Sequence, residues 1–122
     1  MPRDEVSAED IRNAARRLAE YIVGLDRAAF VSDRKTQAAV VRELEIMGEA
    51  ANRVSEGFRA AHPEVPWDRL VRLRHFYIHV YDAVDYGVVW TTATRTAPKV
   101  EAALSALLGK DATKTDDEGE AD

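Results

Sequence analysis

Apolar residues recur at helical spacing along most of the chain. Ile11, Ala14, Ala15, Leu18, Ile22 and Leu25 share one face of a 3.6-residue period. Ser7 and Asp10 precede them as side chains able to accept from the orphan amides of a helix start. Gly24 and Leu25-Asp26 place the end of this first helix nearby. A second stripe, Ala39, Val40, Leu44, Met47, Ala50, Ala51 and Val54, follows Asp33, a suitable N-cap. Gly48 inside it costs about 1 kcal/mol relative to alanine, which predicts the close approach of another helix. Residues 58–66 read as a turn or a single helical turn, because Pro63 and Pro66 stop regular structure. A third helix is expected from Trp67 or Asp68 into the Arg74–His79 region, with Leu70, Leu73 and Tyr77 on its inner stripe. A fourth is expected from Asp85 to Leu108. Its first part, Tyr86 to Thr92, is β-branched enough for a strand, but no nearby segment could pair with it. Pro98 should kink this helix, and Val100, Ala103, Leu104, Leu107 and Leu108 complete its apolar face. Trp67 and Trp90 read as packing anchors whose rings bury much area.

Four amphipathic helices with short connections predict an all-α fold, an antiparallel four-helix bundle with a short extra helical turn. The last segment, GKDATKTDDEGEAD, has almost no large apolar residue and is expected to be disordered. The reading is therefore one helical domain, 1–108, and an acidic tail, 109–122. Within the tail two lysines oppose six acids, a net −4, which leaves about −1 of the chain's total of −5 for the body. That balance gives no sign of broad nucleic-acid binding, though it leaves room for a small basic patch. A hydrophobic share of 46% supports a real core. The absence of cysteine removes disulfides, thiolate zinc sites and a cysteine nucleophile, and fits a reducing compartment. The charged start, MPRDEVSAED, lacks the apolar run of a signal peptide, and no stretch approaches the roughly 20 apolar residues of a membrane span. The expectation is a soluble, cytoplasmic protein with no membrane association.

The segment Arg72-Leu73-Arg74-His75-Phe76-Tyr77-Ile78-His79-Val80-Tyr81-Asp82 concentrates the candidate chemistry, with two of the three histidines of the chain. In RNA the ribose 2′-hydroxyl is a nucleophile once its proton is removed. Histidine titrates near neutrality and can take or return that proton. Arginine offers permanently charged planar donors to the phosphate as it gains negative charge. Arg74 and His79 are of the right types, and Tyr81 could hold a phosphate or stack on a base. On a straight helix Arg74 and Tyr81 nearly align, while Arg74 and His79 lie about 140° apart. Convergence therefore requires a helix that ends near His79, or two copies sharing sites across a dimer interface.

Blander readings compete. A histidine on a bundle helix is commonly a hydrogen-bonded structural residue. Arg69 and Arg72 read as solvated surface charges, Tyr77 as core, and Asp26 and Asp33 as a turn former and a cap. A metal site is not expected. His75 and His79 are four apart, but the metalloprotease pattern needs glutamate where Phe76 stands. The Glu-x-x-His pairs of ferritin-like bundles are missing, since Arg59, Arg72 and Phe76 precede the histidines at that spacing. Glycine-rich phosphate loops and nucleophile elbows are also lacking, and no cofactor is expected.

Arg74-x4-His79-x-Tyr81 resembles the R-x4-H-x-Y motif of the HepT-like proteins of the HEPN superfamily. Glu45-Ile46-Met47-Gly48-Glu49-Ala50 is similar to the family's GEA helix, and Val65-Pro66-Trp67 to its PW turn. Val84-Asp85, Val89-Trp90 and Pro98 match the downstream pattern, so the resemblance spans roughly residues 8 to 108. One departure is His75, where asparagine is common. Other HEPN proteins carry Asp or His there, so a supporting polar role for His75 survives. The resemblance implies a HEPN-like bundle and a metal-independent endoribonuclease toxin with Arg74 and His79 catalytic. It implies a homodimer with both sites in a shared cleft, within a type II/VII-like toxin–antitoxin system. It further implies a partner, an MntA-like nucleotidyltransferase antitoxin that adds AMP to the motif tyrosine, here Tyr81. Phosphate charge and bulk beside the catalytic pair would repel an RNA backbone. Two other readings stay open: a non-catalytic HEPN binding module partnering a nucleotidyltransferase, and a helical scaffold with incidental histidines.

Overall fold

A computed structural model describes the backbone of residues 2–74 and 84–121, with side chains described to residue 109. Among the described residues every regular element is helical. They are α1 (Pro2–Tyr21), α2 (Arg27–Val31), α3 (Arg34–Asn52), α4 (Glu56–Ala61), α5 (Trp67–Arg72), α6 (Tyr86–Thr91), a π-helical turn (Thr92–Thr96) and α7 (Ala97–Ala121). None of them is long and apolar enough to cross a membrane.

α1 packs along α3 and, on its other side, along α7, while α5 lies across α3. Cross-links between α1 and α3 fix their sense. Asp4 meets Ser55 just past α3, Asp10 meets Arg53, and Arg17 and Tyr21 meet Glu43. Rising numbers on one helix pair with falling numbers on the other, so the two are antiparallel. The apolar stripes named from the sequence form the core: Ile11, Leu18, Val40, Leu44, Met47, Leu70, Val100 and Leu104 are all fully buried. Each such large side chain contributes about 1.5–3 kcal/mol through burial.

The expected N-cap acts at Asp33 and Asp85 caps α6 in the same way, whereas α1 begins at Pro2, ahead of the start expected at Ser7–Asp10. Asp33 accepts from Thr36 N–H at 3.1 Å and Asp85 from Gly87 N–H at 2.9 Å. Gly24, at φ +79°, takes the left-handed turn beyond α1 that a side chain would disfavour. The β-branched run is helical, and its threonines are accommodated by back-bonding. Thr91, Thr92 and Thr94 hydroxyls donate to the carbonyls of Gly87, Val88 and Trp90.

Three further features depart from the sequence reading. First, the chain between Asp26 and Asp33, for which no helix was expected, contains α2, capped by Asp26, and it carries Phe30, fully buried against Trp90 with ring centroids 5.3 Å apart. Gln37 secures its end by donating to Phe30 and Val31 carbonyls at 2.9 and 2.8 Å. Second, α5 does not run on into Arg74. It ends at Arg72, and Leu73 N–H folds back to Leu70 O at 3.0 Å. Third, the interruption at Pro98 is a π-helical turn ahead of the proline, in which Ala97 N–H reaches Thr92 O. Pro98 has no N–H for Thr94, so the ladder resets there. The last buried side chains described are Leu107 and Leu108.

Three carboxyls are held below the ordinary carboxylate range. Asp4 is held by the backbone N–H and then the hydroxyl of Ser55, Asp33 by the hydroxyl and N–H of Thr36, and Glu101 by the Ser105 hydroxyl and Arg16. A depressed folded-state pKa stabilises the fold above the unfolded value, and that stabilisation fades as the pH falls through the carboxylate range. The melting temperature is expected to drop on acidification, and to drop less steeply in an Asp4→Asn/Glu101→Gln variant. Parallel pH–melting curves for the two proteins would refute this.

Candidate active site

The approach to the motif is built around Trp67. Pro66 ends the preceding turn, and Trp67 is buried at the start of α5. Its indole N–H donates to His62 O at 2.9 Å, and Phe58 meets its ring edge-on at 6.0 Å. His62, the histidine outside the motif, lies over Phe58 with its Nδ1 3.5 Å from Glu64 Oε1, a structural setting. Leu70, fully buried, seats α5 on α3.

The chain then turns at Leu73 and presents Arg74 directly on Gly48 of α3. A Cβ at Gly48 would lie 2.8 Å from both Arg74 N and Arg74 Cγ, and 3.0 Å from Leu70 O. Gly48 is therefore the floor on which Arg74 rests, which is the close approach predicted from the sequence. The Arg74 side chain is exposed beyond that floor. One turn before Gly48, Glu45 is buried and ion-paired to Arg42 at 2.8 Å.

His75, His79 and Tyr81, and the core assignment of Tyr77, lie outside the described residues. The structure thus positions one member of the predicted constellation. Among the described residues no three His, Asp or Glu side chains gather as a metal site would need.

Both ends of the motif segment border one open groove of about 650 Å³, lined by Leu73 on one side and Asp85 on the other. Arg27, Arg69, Arg72, Arg95 and Lys99 also line it. Arg69 and Arg72 are exposed, as expected for surface charges, but they face a concave surface. The clue available in the sequence was spacing: Arg69 and Arg72 are three apart, and Arg95 and Lys99 four apart, each pair on one helix face.

A model of the family described as ribonuclease HepT-like matches residues 11–107. The chain is 37% identical over 99 residues to the "Probable ribonuclease HepT" of Thermococcus cleftensis, covering 81% of this chain and 90% of that protein. It is 35% identical over 92 residues to a "Putative RNase" of Methanocaldococcus jannaschii, covering 75% and 84% of the two chains. A second "Putative RNase" of that organism is 32% identical over 117 residues, covering 91% and 97%. No solved structure matches the chain.

Proposed function

The chain belongs to the HepT-like ribonuclease family, and from that membership we propose that it is a metal-independent endoribonuclease toxin whose site pairs Arg74 with His79. The observation that carries the reading is Arg74, set on Gly48 at the entrance to the motif segment with its side chain open to solvent. A guanidinium seated at the base of its side chain on a glycine and exposed to solvent suits a phosphate-binding role.

In the proposed reaction His79, supported by His75, takes the proton of a ribose 2′-hydroxyl. The 2′-oxygen attacks the adjacent phosphorus, and the bond to the 5′-oxygen breaks. Arg74 stabilises the charge that develops on the non-bridging oxygens, and the imidazolium returns its proton to the leaving 5′-oxygen. The products are a 2′,3′-cyclic phosphate and a 5′-hydroxyl. The protein acts in the cytoplasm as a homodimer with both sites in a shared cleft. An MntA-like nucleotidyltransferase antitoxin neutralises it by adding AMP to Tyr81, which places negative charge and bulk where the RNA phosphate must sit.

The test compares protein made alone with protein made beside its neighbouring gene product. Protein made alone is expected to cleave RNA in the presence of chelator and to leave cyclic-phosphate ends. Co-expressed protein is expected to gain mass in AMP units on Tyr81 and to lose cleavage. Protein that is unmodified at Tyr81, binds its partner and still cuts no RNA would leave only the binding-module reading.

A further inference from the structure

The groove beside the motif has a charge pattern that the whole chain does not. The protein is net −5, yet Arg27, Arg69, Arg72, Arg95 and Lys99 line a single concavity. Among the described residues its one acidic liner is Asp85, whose Oδ1 already accepts from Gly87 and Val88 N–H at the start of α6. Among the described residues none of the five cations has an acidic ion-pair partner. Cations placed for fold stability would be expected to meet carboxylates, as Arg16 and Arg17 do at Glu101 and Glu43.

Four separate elements supply these charges. Arg69 and Arg72 come from α5, Arg95 and Lys99 from the π-helical turn and α7, and Arg27 from the first position of α2. Arg27 leans over α6 at Gly87, where an added Cβ would collide with its guanidinium. Between the cations the wall is small and carries the hydroxyl of Thr96, one turn on from Thr92, whose own hydroxyl already donates to Val88 O. A concave run of cations with hydroxyls between them, tracking along a surface, suits the backbone of a single-stranded nucleic acid. Guanidinium groups meet phosphate oxygens through paired, charge-assisted hydrogen bonds. The position decides between RNA and an acidic protein partner: the chain enters the motif segment beside Leu73 and leaves it beside Asp85, and both line the groove.

We propose that this groove is the backbone track for a single-stranded RNA segment, holding its phosphates next to the bond that the Arg74–His79 site cuts. The assignment rests on the nuclease reading for the identity of the strand, and it is tested by binding rather than by cleavage. The probe is a mixed-sequence 2′-O-methyl oligoribonucleotide of about a dozen nucleotides, which lacks the nucleophilic hydroxyl and cannot be cut. Its affinity is measured by fluorescence anisotropy across a salt series for the wild type, for Arg69→Gln/Arg72→Gln, and for Arg95→Gln/Lys99→Gln. Arg34→Gln/Lys35→Gln, two exposed cations outside the groove, is the control.

Each groove double variant is expected to bind about 10- to 100-fold more weakly at low salt. Its plot of log affinity against log salt should be shallower by about 1.4, since each single-strand phosphate contact contributes about 0.7. The control should match the wild type, and all variants should keep wild-type helical content. Groove variants that bind with wild-type affinity and slope would overturn the proposal. A control that weakens as much as they do, or a wild type that does not bind the probe, would do the same. The two readings fail separately. A wild type that cleaves RNA while groove variants bind normally removes the track and keeps the nuclease. Groove-dependent binding by a protein that cuts no RNA does the reverse.

Discussion

His79→Ala is expected to lower the rate of RNA cleavage by about 100- to 10,000-fold, the range associated with a positioned general acid–base. Arg74→Ala should lower it by about 100- to 1,000-fold, as loss of one strong donor to a developing oxyanion does. Both should retain wild-type helical content, because the Arg74 side chain is exposed beyond the Gly48 floor and closes no part of the core. The pair also reports on how the site is assembled. If Arg74 of one subunit serves His79 of its partner, mixing the two dead variants regenerates one intact site per heterodimer, and partial activity returns. If each subunit carries its own pair, the mixture stays dead. Full cleavage by either variant in chelator would remove the assignment.

Gly48→Ala should be almost as damaging, for a reason that involves no reacting group. In an open helix this change stabilises by about 1 kcal/mol. At Gly48 the new methyl would sit 2.8 Å from a backbone nitrogen and 3.0 Å from a backbone oxygen. Neither can swing aside like the tip of a side chain. Overpacking of this kind costs about 1–3 kcal/mol, so the net effect is a loss of up to about 2 kcal/mol. Because α5 and Arg74 must shift to relieve it, cleavage should fall by about 100-fold, as expected for a displacement near 1 Å. Gly57→Ala is the matched control. It lies within α4 with nothing near the added Cβ, and should gain up to about 1 kcal/mol with unchanged cleavage. Melting temperature and kcat/KM for the two variants decide the point. A Gly48→Ala protein that is as stable and as active as wild type would show that Arg74 does not depend on this floor.

The two glycines that meet arginines differ in what they demand. At Gly48 the obstruction is the Arg74 backbone, so the glycine fixes where the chain can pass. At Gly87 the obstruction is the far end of Arg27, which can move. Gly48 is thus part of the site's architecture, while Gly87 permits one pose of a groove cation.

Signals that act within a few residues were readable from the chain. The 3.6-residue apolar stripes of α1, α3 and α7, the aspartate cap at Asp33, and the close approach at Gly48 all depend on neighbours within about one turn, or on a missing side chain. The candidate chemistry was equally visible, because Arg74, His75, His79 and Tyr81 sit in one short stretch. Other features depended on partners distant in sequence. α2 is too short to show a period, and Phe30 is core because Trp90 and Gln37 meet it from other elements. α5 stops at Arg72, where the next residues must clear α3. The basic groove has no signature in net charge, since only folding brings Arg27 beside Arg69, Arg72, Arg95 and Lys99. Helical identity is written in local spacing, whereas a surface shared by four elements exists only once long-range packing has set them side by side.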